Sequence, residues 1–151
     1  MSQSLSQLYI HLMFGTKHRE PWILPEIEER LHSYLAGTLQ QYQCMGLAIN
    51  TMPDHVHILF RMSKNYTLAR VVEELKKQSS KWMKEQGVEA FFWQKGYGAF
   101  SVSASKLQSV IQYIQNQKEH HQHHSFEEET ALFMKEYQVA EYDPKYFWED
   151  D

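Results

Sequence analysis

Short apolar runs alternate along this chain with longer segments whose apolar residues recur at helical spacing. LYIHLMFGT (8–16) is rich in strand formers and predicts a β-strand. In PEIEERLHSYLAGTLQQY (25–42), Ile27, Leu31, Tyr34, Leu35, Leu39 and Tyr42 share one helical face, and Pro25 suits the first turn. MGLAINTM (45–52) and HVHILFRM (55–62) predict two strands around the turn residues Pro53 and Asp54. TLARVVEELKKQSSKWMKEQG (67–87) predicts a second helix, with Leu68, Val71, Val72, Leu75, Trp82 and Met83 on one side and Gly87 closing it. AFSVS (99–103) is a further short strand.

The resulting order is strand, helix, strand, strand, helix, strand. It implies an α+β fold of the ferredoxin-like, RRM-like type, an antiparallel sheet with helices on one face. SKLQSVIQYIQNQKEHHQHH (105–124) adds a tyrosine-bearing helix. Ser125 and Glu128 have the spacing of a capping box for a last short helix through residue 138. Residues 138–151 read as an irregular, acidic, aromatic tail that packs on the body or on a partner subunit. The length of 151 residues fits a single domain over 1–151, and no internal repeat or linker divides it.

Successive strand side chains point to opposite faces of a sheet. His55 and His57 therefore share a face with Leu59 and Arg61, while Val56, Ile58 and Phe60 lie under the helices. The imidazoles are expected on the open face, close enough together to share one metal ion. The motif alone is unspecific, since two histidines on a strand also occur without a ligand. It is also similar to the histidine-triad hydrolases, but their third alternating histidine is Leu59 here.

On the 105–124 helix the apolar side is Leu107, Val110, Ile111 and Ile114. At about 100° per residue, Tyr113, Gln117, His120 and His124 form an adjacent stripe. Tyr113 and Gln117 are one turn apart. Gln117 can offer its amide oxygen as a third ligand beside His55 and His57, with Tyr113 standing near the same ion. A free phenol, with a pKa of about 10, is a poor nucleophile. A cation favours the phenolate and polarises a phosphate ester. Attack by Tyr113 would form a phosphotyrosine diester and expel a sugar hydroxyl, a step that a second hydroxyl reverses without ATP. The bland alternative makes Tyr113 an amphipathic edge residue.

The net charge of −4 speaks against nucleic acid until it is divided. Residues 127–151 carry −7, so residues 1–126 carry +3. Within 61–84, seven basic side chains stand against Glu73 and Glu74. Lys17 and Arg19 after the first strand, and Lys76, Lys77 and Lys81 on the second helix, are candidates to grip a phosphate backbone. Gln94 and Tyr97, in the glycine-bearing loop with Trp93 and Lys95, are candidate base contacts. Solubility and core packing are the alternatives for each. The single cysteine, Cys44, cannot form an internal disulfide, and no signal peptide or membrane-length apolar run is apparent. A reducing cytoplasm is the simplest location.

The stretches YIHLMFGTKHREP, DHVHILF, KKQSSKW, FWQKGYGAFSVS and YIQNQKEHH give most of the chain a resemblance to a known family. It resembles the single-tyrosine HUH transposases of small insertion sequences, and a related palindrome-associated group, with the insertion-sequence branch favoured. His55-Val56-His57 matches that family's paired-histidine signature, Tyr113 its nucleophile and Gln117 its third metal ligand. The single tyrosine in that helix differs from the two-tyrosine replication initiators. The resemblance implies a homodimer in which the tyrosine helix of one subunit can complete the other's site. It implies cutting and rejoining of single-stranded DNA near hairpins at element ends, through a 5′-phosphotyrosine link.

The implied cofactor is Mg²⁺ or Mn²⁺, although imidazole ligands by themselves favour Mn²⁺ or Zn²⁺. His120 and His121 are candidates to tune the site. Two rivals stay open. One is a non-catalytic binder of single-stranded or hairpin nucleic acid descended from a transposase. The other is a zinc phosphoesterase that uses water.

Overall fold

The structure, a computed structural model, describes residues 2–148. Four strands, β1 (Leu8–Gly15), β2 (Met45–Met52), β3 (His55–Met62) and β4 (Gly98–Val102), form one antiparallel sheet in the order β2-β3-β1-β4. Helix α1 (Pro25–Gln41) follows β1, and α2 (Leu68–Glu85) follows β3. This is the ferredoxin-like arrangement expected from the element order.

Each helix has a local cause. Pro25 occupies the first turn of α1, where Glu26 and Glu28 complement the positive end of the helix dipole. Thr67 caps α2 by accepting the Arg70 N–H at 3.1 Å. Just past the α2 terminus, Gly87 takes φ +101°, which an L side chain would resist. Ile27, Leu31, Leu35 and Leu39 of α1 and Val71, Val72, Leu75 and Met83 of α2 are buried against Leu12, Phe14, Val56, Ile58 and Phe60. That layer is the main core.

The opposite sheet face is also covered, where an open face was expected. Helix α3 (Leu107–Gln115) seats Ile114 against Leu59 and Val102. Helix α5 (Phe126–Glu136) places Phe126 and Met134 with Met13 and Phe100. The capping box forms as expected: Ser125 Oγ accepts the Glu128 N–H at 3.1 Å, and Glu128 Oε1 accepts the Ser125 N–H at 3.3 Å.

The continuous helix expected over 105–124 is broken. α3 ends at Gln115, Asn116 departs from helical geometry, and a single turn, α4 (Gln117–His120), follows. Asn50 on β2 supplies the reason. Its Nδ2 donates to the carbonyl of Ile114 at 2.8 Å, occupying an acceptor a continuing helix would use. The tail is not wholly irregular. Asp143 caps a turn, α6 (Pro144–Phe147), and Trp148 packs edge-on against Phe126 of the body at 5.3 Å between centroids. Residues 149–151 of the acidic tail lie outside the described residues. No helix among the described residues is long and apolar enough to cross a membrane.

Candidate active site

The register of β3 decides where its histidines go. His57 lies opposite Met13 and Asn50, and His55 lies opposite Gly15 and Met52. Gly15 has no side chain, so the ring of Phe126 fills that space and stacks on His55 at 3.9 Å with a 2° tilt. Both imidazoles are fully buried, because α3 to α5 close over the face that was expected to be open.

The outer nitrogens of both rings are held from behind. His55 Nδ1 lies 2.7 Å from Asp54 Oδ1, and His57 Nδ1 lies 2.8 Å from His11 Nε2. Their Nε2 atoms therefore face inward. His55 Nε2 is 3.2 Å from Gln117 Oε1, and His57 Nε2 is 2.8 Å from Glu129 Oε1. His121 Nε2 reaches the same carboxylate oxygen at 3.2 Å. On the other oxygen, Glu129 Oε2 accepts from Gln117 Nε2 at 2.9 Å and from the Tyr113 hydroxyl. His120 stacks on the Tyr113 ring at 4.5 Å between centroids.

Electrostatics follow from this packing. Burial pushes the Glu129 carboxyl upward, but His57, His121 and His55 outweigh it and hold the group well below the usual carboxylate range. Burial, then the Glu129 charge, push the Tyr113 phenol well above its ordinary value. Burial, with His57 adding, lowers His11 to about 3 and keeps it neutral. Burial likewise lowers His57 against the pull of Glu129. For His55, the Asp54 and Glu129 carboxylates overcome burial and raise it.

Imidazoles, an amide oxygen and a carboxylate make a donor set suited to a divalent transition metal. His55, His121 and Glu129 present ligand atoms within 4.8 Å of one another. The engagement of both Nδ1 atoms, leaving Nε2 inward, is the support that metal-ligating histidines receive. Beside Tyr113 a cleft of about 760 Å³ opens between β4, α3 and α5, lined in part by Ser103, Lys106 and His120.

The site thus draws together Tyr113, His55, His57, Gln117, His120 and His121. His124, on the expected stripe, lies in the exposed turn after α4. Sequence reading missed His11, Asp54, Phe126 and Glu129. The signal for His11 was present in β1, where its alternation with Met13 and Gly15 puts it on the histidine face.

The basic candidates divide. Lys77 and Lys81 are exposed along α2. Lys17 is half-buried, with its ammonium 5.8 Å from the Phe92 ring centroid. Arg19 pairs with Glu127 at 2.9 Å and covers Trp148, which ties it to α5 and the tail. Two further candidates are engaged within the protein itself. The Lys76 ammonium donates to the carbonyls of Gln94, Lys95 and Gly96 at 2.7–2.9 Å, so it holds the loop. Gln94 is 2% exposed, with its amide accepting the Gly15 N–H and donating to the Phe147 carbonyl. Tyr97, half-buried, packs against the main core with Lys76 Nζ 5.5 Å from its ring centroid.

A strand-borne histidine pair and a helical tyrosine thus meet on one face of the ferredoxin-like sheet, with the His57 and Tyr113 ring centroids 5.9 Å apart. Residues 4–117 match the family described as IS200-like transposase, and the chain belongs to that family. It is similar to the ISDra2 transposase TnpA of Deinococcus radiodurans, 26% identical over 118 residues that span 74% of this chain and 84% of that protein. A crystal structure of a Deinococcus radiodurans R1 transposase superposes with a TM-score of 0.60 at 26% identity, covering 78% of this chain and 98% of that one. A REP-associated tyrosine transposase bound to a REP hairpin shares the fold with a TM-score of 0.60 at 15% identity, covering 80% of this chain and 74% of that one.

Proposed function

We propose that this transposase nicks and rejoins single-stranded DNA at hairpin-bearing ends through a covalent bond from Tyr113 to a 5′ phosphate. The observation that carries the reading is convergence: the Nε2 atoms of His55 and His57, the Gln117 amide and the Tyr113 hydroxyl all meet around one carboxylate. A core built only for packing has no need of such a set.

His55, His57 and Gln117 would hold Mg²⁺ or Mn²⁺, and such an ion when bound polarises a phosphate oxygen and stabilises charge developing on it. The remaining work falls to the chain. Tyr113 Oη forms the new bond to phosphorus while the bond to the 3′ oxygen breaks. The phenol gives up its proton and the departing 3′ oxygen takes one up, so the exchange consumes neither water nor ATP. A 3′ hydroxyl attacking the phosphotyrosine diester reverses the step and joins new ends. Glu129 Oε2 accepts from the Tyr113 hydroxyl, which holds the phenol beside the histidine pair.

Lys17, Lys77 and Lys81 supply phosphate contacts in this reading, with Arg19 and Tyr97 at the margin. The relative that shares the fold and binds a REP hairpin supports hairpin DNA as the substrate class. Within one chain Tyr113 already meets the histidine pair, which supports a site built in cis. The homodimer implied by the resemblance would then bring together two complete sites.

The test is a denaturing gel after incubation with labelled single-stranded hairpin DNA. A covalent band that requires Mn²⁺ and disappears in Tyr113→Phe supports strand transfer. Cleavage with no adduct points to a water-using phosphoesterase, and a native-gel shift alone to a binding protein.

A further inference from the structure

Glu129 is 4% exposed, so its carboxyl group is buried in the protein interior. Buried carboxylates need a cation or several donors close by. Among the described residues, the ion-pair partners of Glu129 are all imidazoles: His57 at 2.8 Å, His121 at 3.2 Å and His55 at 3.5 Å. None of these is a permanent cation. Three ring nitrogens thus converge on a single oxygen.

The spacing of these atoms is informative. Ligands about 2.1 Å from one ion, at roughly right or tetrahedral angles, lie about 3.0–3.4 Å apart. Of the Glu129 Oε1 distances, the 3.2 Å to His121 lies inside that interval, while the 2.8 Å to His57 and the 3.5 Å to His55 lie just below and just above it. The 3.2 Å between His55 Nε2 and Gln117 Oε1 also lies inside it. Among the described histidine and acidic side chains, the ligand atoms of His55, His121 and Glu129 lie within 4.8 Å of one another.

We propose that Glu129 is itself a metal ligand, adding a carboxylate to the His55, His57 and Gln117 set, with His121 beside it. The inference rests on the metal reading of that set. It adds a negatively charged ligand from α5. The family match ends at Gln117, so Glu129 and His121 lie in the part of the chain beyond it. Neither role is carried over from relatives. An anionic oxygen donor also brings the site closer to what Mg²⁺ and Mn²⁺ accept than imidazole and amide alone. Because Glu129 Oε2 meets the Tyr113 hydroxyl, the same residue would fix the distance between ion and nucleophile.

The opposite role is that Glu129 is a plug that competes with the ion. The two roles differ in sign. Isothermal titration of the metal-free full chain with Mn²⁺ would compare wild type, Glu129→Gln, Glu129→Ala and His57→Ala, with thermal melts of each metal-free protein as a fold control. Ligation predicts Mn²⁺ affinity at least tenfold weaker in both Glu129 variants. Unchanged or tighter binding in a folded Glu129 variant overturns the proposal. If His57→Ala also binds Mn²⁺ like wild type, the underlying metal reading fails with it. Should both Glu129 variants melt early, manganese electron paramagnetic resonance on wild type with Glu129→Asp keeps the question open to refutation. A changed coordination signal is expected, and an identical one contradicts ligation.

Discussion

His11 Nε2 lies 2.8 Å from Nδ1 of His57, and both rings are fully buried. This bond fixes the orientation of the His57 ring and leaves its Nε2 facing the site. Among the described residues His11 Nδ1 has no hydrogen-bond partner, so the side chain's polar contact there is the one to His57. Loss of such outer support usually costs about 10–100-fold in metal affinity. His11→Phe should therefore weaken Mn²⁺ binding by about that factor in a protein that still melts cooperatively, with His11→Gln recovering part of it. Equal affinity in wild type and His11→Phe would remove His11 as a positioning residue.

Gly15 leaves the space that Phe126 occupies over His55. A Cβ there would sit 2.9 Å from Phe126 Cε2 and 3.2 Å from both the Asp54 carbonyl and Gln94 Oε1. Overpacking of this kind costs about 1–3 kcal/mol. Gly15→Ala should lower the denaturant midpoint accordingly and speed amide exchange in α5, because the ring must lift away. A midpoint and exchange pattern like wild type would show that the gap is not needed.

The lysines of α2 should separate by role. Lys76→Met removes the donor to three loop carbonyls and should lower the melting temperature, since those acceptors lose their partner. Lys77→Ala and Lys81→Ala should change stability by less than about 0.5 kcal/mol. Each should reduce the slope of log affinity against log salt for hairpin DNA by about one. A salt slope that does not move in either exposed variant would place the DNA elsewhere.

His32 on α1 gives a stability signal away from the site. Its Nε2 lies 2.8 Å from Thr51 Oγ1. Burial, with Lys118 adding and Glu28 and Glu29 opposing, lowers its pKa below 6.5. The folded protein thus binds fewer protons there than the unfolded chain. That contribution is present above the unfolded value and shrinks as pH falls below about 6.5. Urea melts between pH 7.5 and about 5 should show wild type losing more stability than His32→Gln over that range. Parallel curves would contradict the assignment.

The sheet order, its helices and the β3 histidine face were all legible, because strand alternation and helical spacing report which side of an element meets the core. Tyr113 and Gln117 were expected one turn apart on a single helix; they instead lie on α3 and α4, and both reach Glu129 Oε2. The break after Gln115 was not legible, since it depends on Asn50, a residue 64 positions away that reaches the Ile114 carbonyl. Glu129 was hidden for a similar reason. Its capping-box neighbours Ser125 and Glu128 mark a helix start, but nothing local says that the next residue turns inward to three histidines. That Lys76 on α2 and Gln94 brace the loop was not legible, because their partners are backbone groups brought close only by the fold.

The central claim is that Tyr113 becomes joined to DNA. The most direct measurement is mass spectrometry of protein digested after reaction with hairpin-bearing single-stranded DNA and Mn²⁺, followed by nuclease trimming. The account expects the peptide containing Tyr113 to carry a 5′-linked nucleotide on its phenol, with no such mass when Mn²⁺ is withheld or in His57→Ala. Cleaved DNA with Tyr113 unmodified, or the adduct on another tyrosine, would contradict it.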